Sequence, residues 1–245
     1  MTASIIKIKN LSLLLPVPRL HQHTASKGDA VGGRFFTNRQ GRTFVKSLDG
    51  LNIDIHAGDS IGLVGNNGAG KSTLLRVMAG IYRTYKGDCE VRGGISTLFT
   101  NSMGLNNNGT GMENMLLMGR LLGLSNKQIE EVLPGMIDFC ELGDYLHLPM
   151  RTYSAGMRTR IGFAIATATN PDVLLIDEVF GTGDVAFRKK AGERINAIIA
   201  NANVVVMATH SNQLLKTFCN KLLWLEHGRL KAFGPTEEIL EAYTA

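Results

Sequence analysis

Three cysteines in 245 residues, Cys89, Cys140 and Cys219, are too few and too far apart for a disulfide framework or a thiolate metal site. They read as reduced thiols of a cytosolic protein. Long apolar runs are missing too. None approaches the roughly 20 residues needed to cross a bilayer. The N-terminus has no signal-peptide layout, since Lys7 and Lys9 interrupt it and Pro16 and Pro18 close it. The expectation is a soluble chain whose membrane association comes through a partner. Neither an internal repeat nor a low-complexity tract is seen. His21 and His23 lack a third ligand nearby, so no metal site is expected there. Apolar residues, by contrast, make up 44 % of the chain against 19 % charged, enough to bury a substantial core in one large domain or a domain with a subdomain. The net charge of +5 suits an anionic membrane surface, a nucleic acid or an acidic partner without choosing among them.

The most informative stretch runs Ile61-Gly62-Leu63-Val64-Gly65-Asn66-Asn67-Gly68-Ala69-Gly70-Lys71-Ser72-Thr73. An apolar strand leads into a glycine-rich turn, and Lys-Ser opens an apolar helix with Leu74, Leu75, Val77 and Met78. The pattern Gly-x4-Gly-Lys-Ser is complete from Gly65 to Ser72. Glycines let successive backbone N–H groups curl inward around phosphate oxygens, and the positive end of the helix adds to that field. Lys71 can reach the β- and γ-phosphates, and the Ser72 hydroxyl can ligate magnesium. An ordinary strand–turn–helix needs none of these in register. The stretch predicts binding of a nucleoside triphosphate.

Around it, residues 4–15 and 51–55 alternate as strands, and short strands are expected at 89–91 and 95–99. Residues 19–42 are polar and basic, a long loop or a loosely formed hairpin. From Thr110 to Ala168 the signals turn helical: 112–122, then 125–140 with Ser125 as N-cap, then 156–168. Pro134 is expected to kink or split the second of these. Met112, Met115, Met118 and Met136 fit a plain core, with an adaptable docking surface as the alternative. Residues 173–176 and 204–207 are continuous apolar runs typical of buried parallel strands. Helices at 186–200 and 211–218, a hairpin across His227-Gly228 and a last helix to Tyr243 complete an α/β pattern.

Three features complete the chemistry. Asp177-Glu178 ends an apolar strand at the carboxyl edge, where open α/β sheets bind ligands. Asp177 fits a magnesium-facing acid, and Glu178 can orient or deprotonate an attacking water. His210 follows the next strand in the same way and can contact a γ-phosphate; the plainer reading is an incidental histidine in a helix-capping turn. Tyr153-Ser154-Ala155-Gly156-Met157-Arg158 is a second small-residue turn opening a helix, another potential anion site. Two such turns far apart in sequence suggest that two copies of the chain share nucleotide across an interface.

In this order and spacing, Gly65–Ser72, Tyr153–Met157, Leu174–Glu178, Gly183-Asp184 and His210 resemble the ATP-binding cassette (ABC) ATPases over nearly the whole chain. The residues Asp177 to Asp184, the basic N-terminal insertion and Trp224-Leu225-Glu226-His227-Gly228-Arg229 are similar to nucleotide-binding subunits of polysaccharide exporters, O-antigen exporters above all, with capsule and teichoic acid exporters beside them. The resemblance implies an α/β phosphate-loop NTPase fold with a mixed sheet core, an antiparallel β part and a helical subdomain. The core would span about 1–108 and 169–245, the subdomain 109–168 and the insertion 19–43. It implies a head-to-tail homodimer with two ATPs and Mg2+ at the interface. Lys71 and its loop would act from one subunit, and Ser154, Ala155, Gly156 and Met157 from the other. Glu178 would be the general base, Ser72 and Asp177 would serve magnesium, His210 would contact the γ-phosphate and Asp184 would lie in the D-loop. A separate membrane permease, docked on the helical subdomain at the cytoplasmic face of the inner membrane, would move lipid-linked polysaccharide.

The chain departs from the family at two places. Thr100 stands where a metal-reaching glutamine is usual, and the adenine-stacking aromatic falls on Phe44, with Phe35 and Phe36 as rivals. No carbohydrate-binding domain is expected beyond Ala245. The insertion faces either headgroups and pyrophosphate at a permease mouth or plain solvent. A chromosome or repair ATPase would need a long coiled coil that the interval from Lys71 to Asp177 cannot hold, so nucleic acid is not an expected partner. A translation-type protein would carry two cassettes, and a small-molecule kinase has no use for Tyr153–Met157.

Overall fold

Local alternation builds the first sheet. In β1 (Ser4–Pro16), Ile6, Ile8, Leu11 and Leu13 are buried, while the lysines between them point outward. The strand pairs antiparallel with β4 (Thr43–His56), setting Ile6 opposite Ile55 and Ile8 opposite Ile53. On its other edge, β6 (Lys86–Val91) places Glu90 opposite Lys7 and Asp88 opposite Lys9, favourable cross-strand charge pairs. β2 (Asp29–Ala30) and β3 (Gly33–Thr37) extend the sheet from β4, giving the order β2-β3-β4-β1-β6. Of the insertion, the described residues 29–30 and 33–37 pair antiparallel, as in a hairpin. β4 is also much longer than the alternation at 51–55 announces. Its first half is held as an inner strand by β1 and β3, partners distant in sequence. The computed structural model describes residues 4–17, 29–30, 33–38, 40–99, 104–177 and 185–244.

A second, mainly parallel set of strands carries the apolar runs. β5 (Ser60–Val64) leads to α1 (Lys71–Met78), and β8 (Val173–Asp177), β9 (Val204–Ala208) and β10 (Lys221–Glu226) run parallel to it. β11 (Arg229–Pro235) closes the edge as an antiparallel hairpin, in the order β11-β10-β5-β9-β8. Val173 to Ile176 and Val204 to Ala208 are buried throughout, as strands covered on both faces require. α6 (Asn212–Phe218) and α7 (Thr236–Thr244) flank this sheet, with Tyr243 edge-on to Trp224 at 5.2 Å.

The chain divides into two compact units. These strands and helices form the first, Met1–Ile95 with Asp172–Asp177 and Asn203–Ala245; the second is Ser96–Pro171 with Glu178–Ala202. The second holds most of β7 (Ile95–Phe99), α2 (Gly111–Leu121), α3 (Asn126–Cys140), α4 (Ala155–Ala166) and α5 (Val185–Asn201). Thr110 and Ser125 each start a helix with a reciprocal capping box, to Glu113 and Gln128. Pro134 does not split α3. It sits on the solvent face, where the Glu130 carbonyl that loses its donor can be hydrated. Met115 and Met136 are buried, while Met112 and Met118 are half-buried, so the methionines serve the core.

Rings of Phe139, Phe163 and Phe187 lie 5.4–6.0 Å apart and join α3, α4 and α5. Arg160 stacks over Phe187, and Arg194 over Phe139. Arg194 also donates to the Thr167 carbonyl and Lys190 to that of Asp138, so basic side chains close the carboxyl ends of α4 and α3. Among the described residues no helix is long and apolar enough to cross a membrane. Burial pushes the Cys219 thiol up to about 12 and that of Cys89 up to about 11, so both stay protonated at neutral pH.

Candidate nucleotide-binding site

The turn after β5 is shaped by three glycines in left-handed backbone: Gly65 at φ 143°, Gly68 at 79° and Gly70 at 107°. Space reinforces the choice. A Cβ on Gly65 would stand 2.2 Å from the Leu225 carbonyl oxygen, and one on Gly70 2.8 Å from that of Ser47. Gly65→Ala is expected to cost about 3 kcal/mol through both effects. The melting temperature should then fall by roughly 6–12 °C; thermal unfolding without nucleotide checks this, and a shift within a degree would remove the steric argument. Asn66, Asn67 and Gly68 are exposed at the crest, and the Ala69 N–H turns back to the Asn66 carbonyl at 3.0 Å. Gly70 caps α1 without a side-chain bond, and no acidic residue occupies the first turn. The turn therefore presents backbone N–H groups and an uncompensated positive helix end, a cradle for phosphate.

Lys71 folds over this crest, its Nζ donating to the Gly65 carbonyl at 2.6 Å and to that of Asn66 at 3.2 Å. Beside it the Ser72 hydroxyl donates to Asp177 Oδ1 at 3.1 Å across 105 residues of sequence, and Thr73 continues the helix half-buried. A hydroxyl and a carboxylate oxygen are the hard donors Mg2+ prefers. Among the described residues no group of three or more His, Cys, Asp or Glu gathers to hold a metal.

Parallel register brings these groups to one edge. Ala208 at the end of β9 is aligned with Leu63 of β5 on one side and Asp177 of β8 on the other. The loop, Asp177 and His210, exposed two residues beyond β9, thus belong to the same carboxyl edge. Glu178, Asp184 and Thr100 lie outside the described residues, as do His21 and His23. Phe44 and Phe35 are half-buried on neighbouring strands, with Phe44 opposite Pro16 and Phe36.

In the second unit, Ser154 is the N-cap of α4, its hydroxyl accepting from the Met157 N–H at 3.2 Å. Ser154, Ala155 and Gly156 are exposed, while the buried Tyr153 donates its hydroxyl to the Tyr145 carbonyl and anchors the turn. Arg158 bonds Asn107 Oδ1 at 2.6 Å and steadies it from the other side. The result is a fixed, outward-facing helix N-terminus.

Sequence reasoning gave no site role to Ser47, Asp49, Leu225 and Gly228, which form the bed under the phosphate loop. Gly228 donates its N–H to the Ala69 carbonyl at 3.0 Å and accepts from the Asp49 N–H at 2.9 Å. The only local signal was the glycine of the hairpin turn.

A parallel sheet with a glycine cradle, a lysine over it and a serine–aspartate pair at its edge defines a phosphate-loop nucleotide-binding protein. Comparison with known proteins agrees. The family "ABC transporter" matches residues 48–181, more than half of the chain, and the chain belongs to that family as an ATP-binding subunit with ATP hydrolase chemistry. It is 43 % identical over 223 residues to the O-antigen export system ATP-binding protein RfbE of Yersinia enterocolitica, covering 90 % of this chain and 93 % of that protein. To the teichoic acids export ATP-binding protein TagH of Bacillus anthracis it is 37 % identical over 88 % of this chain, but it spans only 39 % of that protein. Of solved structures, the "ATP binding subunit of ABC transporter" superposes with a TM-score of 0.74 at 22 % identity over 98 % of this chain and 94 % of that one. The ATP-binding cassette MJ0796, a dimer bound to ADP and Pi, gives 0.67 at 18 % over 94 % and 98 %. These two likenesses show the fold.

Proposed function

We propose that this chain is the ATPase subunit of an exporter that moves lipid-linked polysaccharide, O-antigen first among the candidates, across the inner membrane. The observation that carries the reading is the 43 % identity to an O-antigen export ATP-binding protein over nearly the full length of both chains. Two copies would pair head to tail, so that Ser154, Ala155 and Gly156 of one meet a nucleotide held by Lys71 and its loop in the other. The outward-facing N-terminus of α4 supports this, being built for an anion while its own hydroxyl cap leaves the neighbouring N–H groups exposed. Ser72 and Asp177 would hold Mg2+, which when bound neutralises charge on the β- and γ-phosphates. Lys71 would orient the phosphates, Glu178 would take the proton of the attacking water, His210 would hydrogen-bond the γ-phosphate and Asp184 would border the interface. Phe44 would stack on adenine, and Thr100 would stand at the position of the metal-reaching glutamine, too short to replace it. The helical subdomain at 109–168 would dock a separate permease, placing the subunit peripherally on the cytoplasmic face.

The test is deletion of the coding gene in its native host. Surface polysaccharide should vanish and lipid-linked polymer should accumulate inside. The sugar or polyol phosphate composition of that polymer would separate O-antigen or capsule from teichoic acid, the second reading that the TagH similarity supports. An unchanged cell surface would overturn the export assignment.

A further inference from the structure

Besides its own internal bonds, the phosphate loop is tied from beneath, and those ties converge on one residue outside the nucleotide motifs. The loop rests on two walls of the first unit. One is the β4 segment from Ser47 to Asp49; the other is the end of β10 with its turn to β11. Contact with both is close, because a Cβ on Gly65 would meet the Leu225 carbonyl at 2.2 Å and one on Gly70 the Ser47 carbonyl at 2.8 Å. Backbone bonds run in series from β4 to the turn to the loop: the Asp49 N–H reaches the Gly228 carbonyl at 2.9 Å, and the Gly228 N–H reaches the Ala69 carbonyl at 3.0 Å.

The turn is packed against β4 at Gly228 but exposed at Glu226, His227 and Arg229. His227 adopts φ 48° and Gly228 79°, two successive left-handed residues of which only the second is glycine. A cavity of about 320 Å³, lined by Lys46, Asp49, His227 and Arg229 among others, adjoins it. What fastens it is Asp49. One carboxylate oxygen accepts from Arg229 Nε at 2.8 Å and lies 2.7 Å from Nη2, while the other pairs with Lys46. Of the three side chains Asp49 is the most enclosed, 15 % exposed against 34 % for Lys46 and 62 % for Arg229.

We propose that Asp49 is a positioning residue for ATP: by clamping Arg229 to β4 it holds the β10–β11 turn, and through Gly228 it holds the curvature of the phosphate loop. The inference rests on the phosphate loop being the ATP site. Lys46 first, and Arg229 with it, hold the Asp49 carboxyl below its ordinary value of 3.8 against the opposing effect of burial. A lowered carboxyl lends its stabilisation above that value and loses it as pH falls through the lower one, so the clamp is intact at neutral pH.

Equilibrium titration of the purified full chain with Mg-ATP, alongside thermal unfolding without nucleotide, tests the proposal. Asp49→Asn keeps the size and the backbone N–H but removes the charge, and should weaken ATP binding roughly tenfold; Arg229→Gln should do the same. The double variant should be no weaker than either single one, since both cut one tie. Glu226→Gln, which removes only the Lys231 pair at 2.9 Å within the hairpin, should leave affinity unchanged. A fall in melting temperature with unaltered ATP affinity in Asp49→Asn would reduce Asp49 to a structural role and overturn the proposal. So would additive losses in the double variant. Failure of the unmodified chain to bind ATP would instead strike the site assignment itself, and is seen in the first titration.

Discussion

Lys71→Ala is expected to lower ATP affinity by roughly a thousandfold while leaving the fold intact. The ammonium lies over the loop crest, fixed by the Gly65 and Asn66 carbonyls at 2.6 and 3.2 Å, and so stands where β- and γ-phosphate oxygens would meet the backbone N–H groups. Two charge-assisted hydrogen bonds to phosphate are worth about 4 kcal/mol together, close to three decades of affinity. The apo protein loses its contacts to the crest carbonyls, which water replaces. Titration of the variant with Mg-ATP, with circular dichroism as the folding check, decides the matter. Affinity within a few fold of the unmodified chain would mean the phosphates bind elsewhere.

The second large effect belongs to Glu178. It follows Asp177, the last residue of β8, in sequence. Glu178→Gln keeps the shape but cannot accept a proton, so turnover should fall by about 10²–10⁴-fold, the usual contribution of a positioned general base. ATP affinity should change little, because in the proposed site the phosphates would be held by Lys71 and the loop. If two copies close over shared nucleotide, the unhydrolysed state should also accumulate as an ATP-dependent dimer. Steady-state ATPase assays and light scattering read both. A monomer hydrolysing ATP at the normal rate despite the substitution would sink the shared-site mechanism and return the chain to some other kind of phosphate-loop enzyme.

The two effects differ in kind. In the proposed mechanism Lys71 would act on the bound ground state and the reaction alike, so its loss should appear in binding; Glu178 would act only as the water is activated, so its loss should appear in kcat. Measured together, they separate failure to bind from failure to react. The Asp49 clamp falls on the binding side and is smaller, because it shapes the cradle without touching phosphate.

Local chemistry was legible without coordinates. Gly65, Gly68 and Gly70 announced positive φ, Ser125 announced a helix start, and the apolar runs at 173–176 and 204–207 announced buried parallel strands. Each signal is contained in a few consecutive residues, where sterics and hydrogen bonding act within a turn or a strand. The pairing of Ser72 with Asp177 was legible only as a requirement of the chemistry; parallel register through β5, β9 and β8 supplied the contact.

Tertiary structure alone decided the rest. The long β4 exists because β1 and β3 hold its first half. Pro134 stays inside α3 because its missing donor faces solvent. α5 joins α3 and α4 through Phe139, Phe163 and Phe187, residues that no short window connects. The bed of Ser47, Asp49, Leu225 and Gly228 is the clearest case. Asp49 and Arg229 are ordinary surface-type charges in the sequence, 180 positions apart. Only the antiparallel turn at Gly228, pressed against β4 by close backbone contact, puts them side by side beneath the loop. The sequence by itself determined which residues can do phosphate chemistry, because that depends on residue type and short-range backbone freedom; where those residues stand, and what holds them there, depended on long-range packing and hydrogen bonds that exist only once the chain has closed on itself.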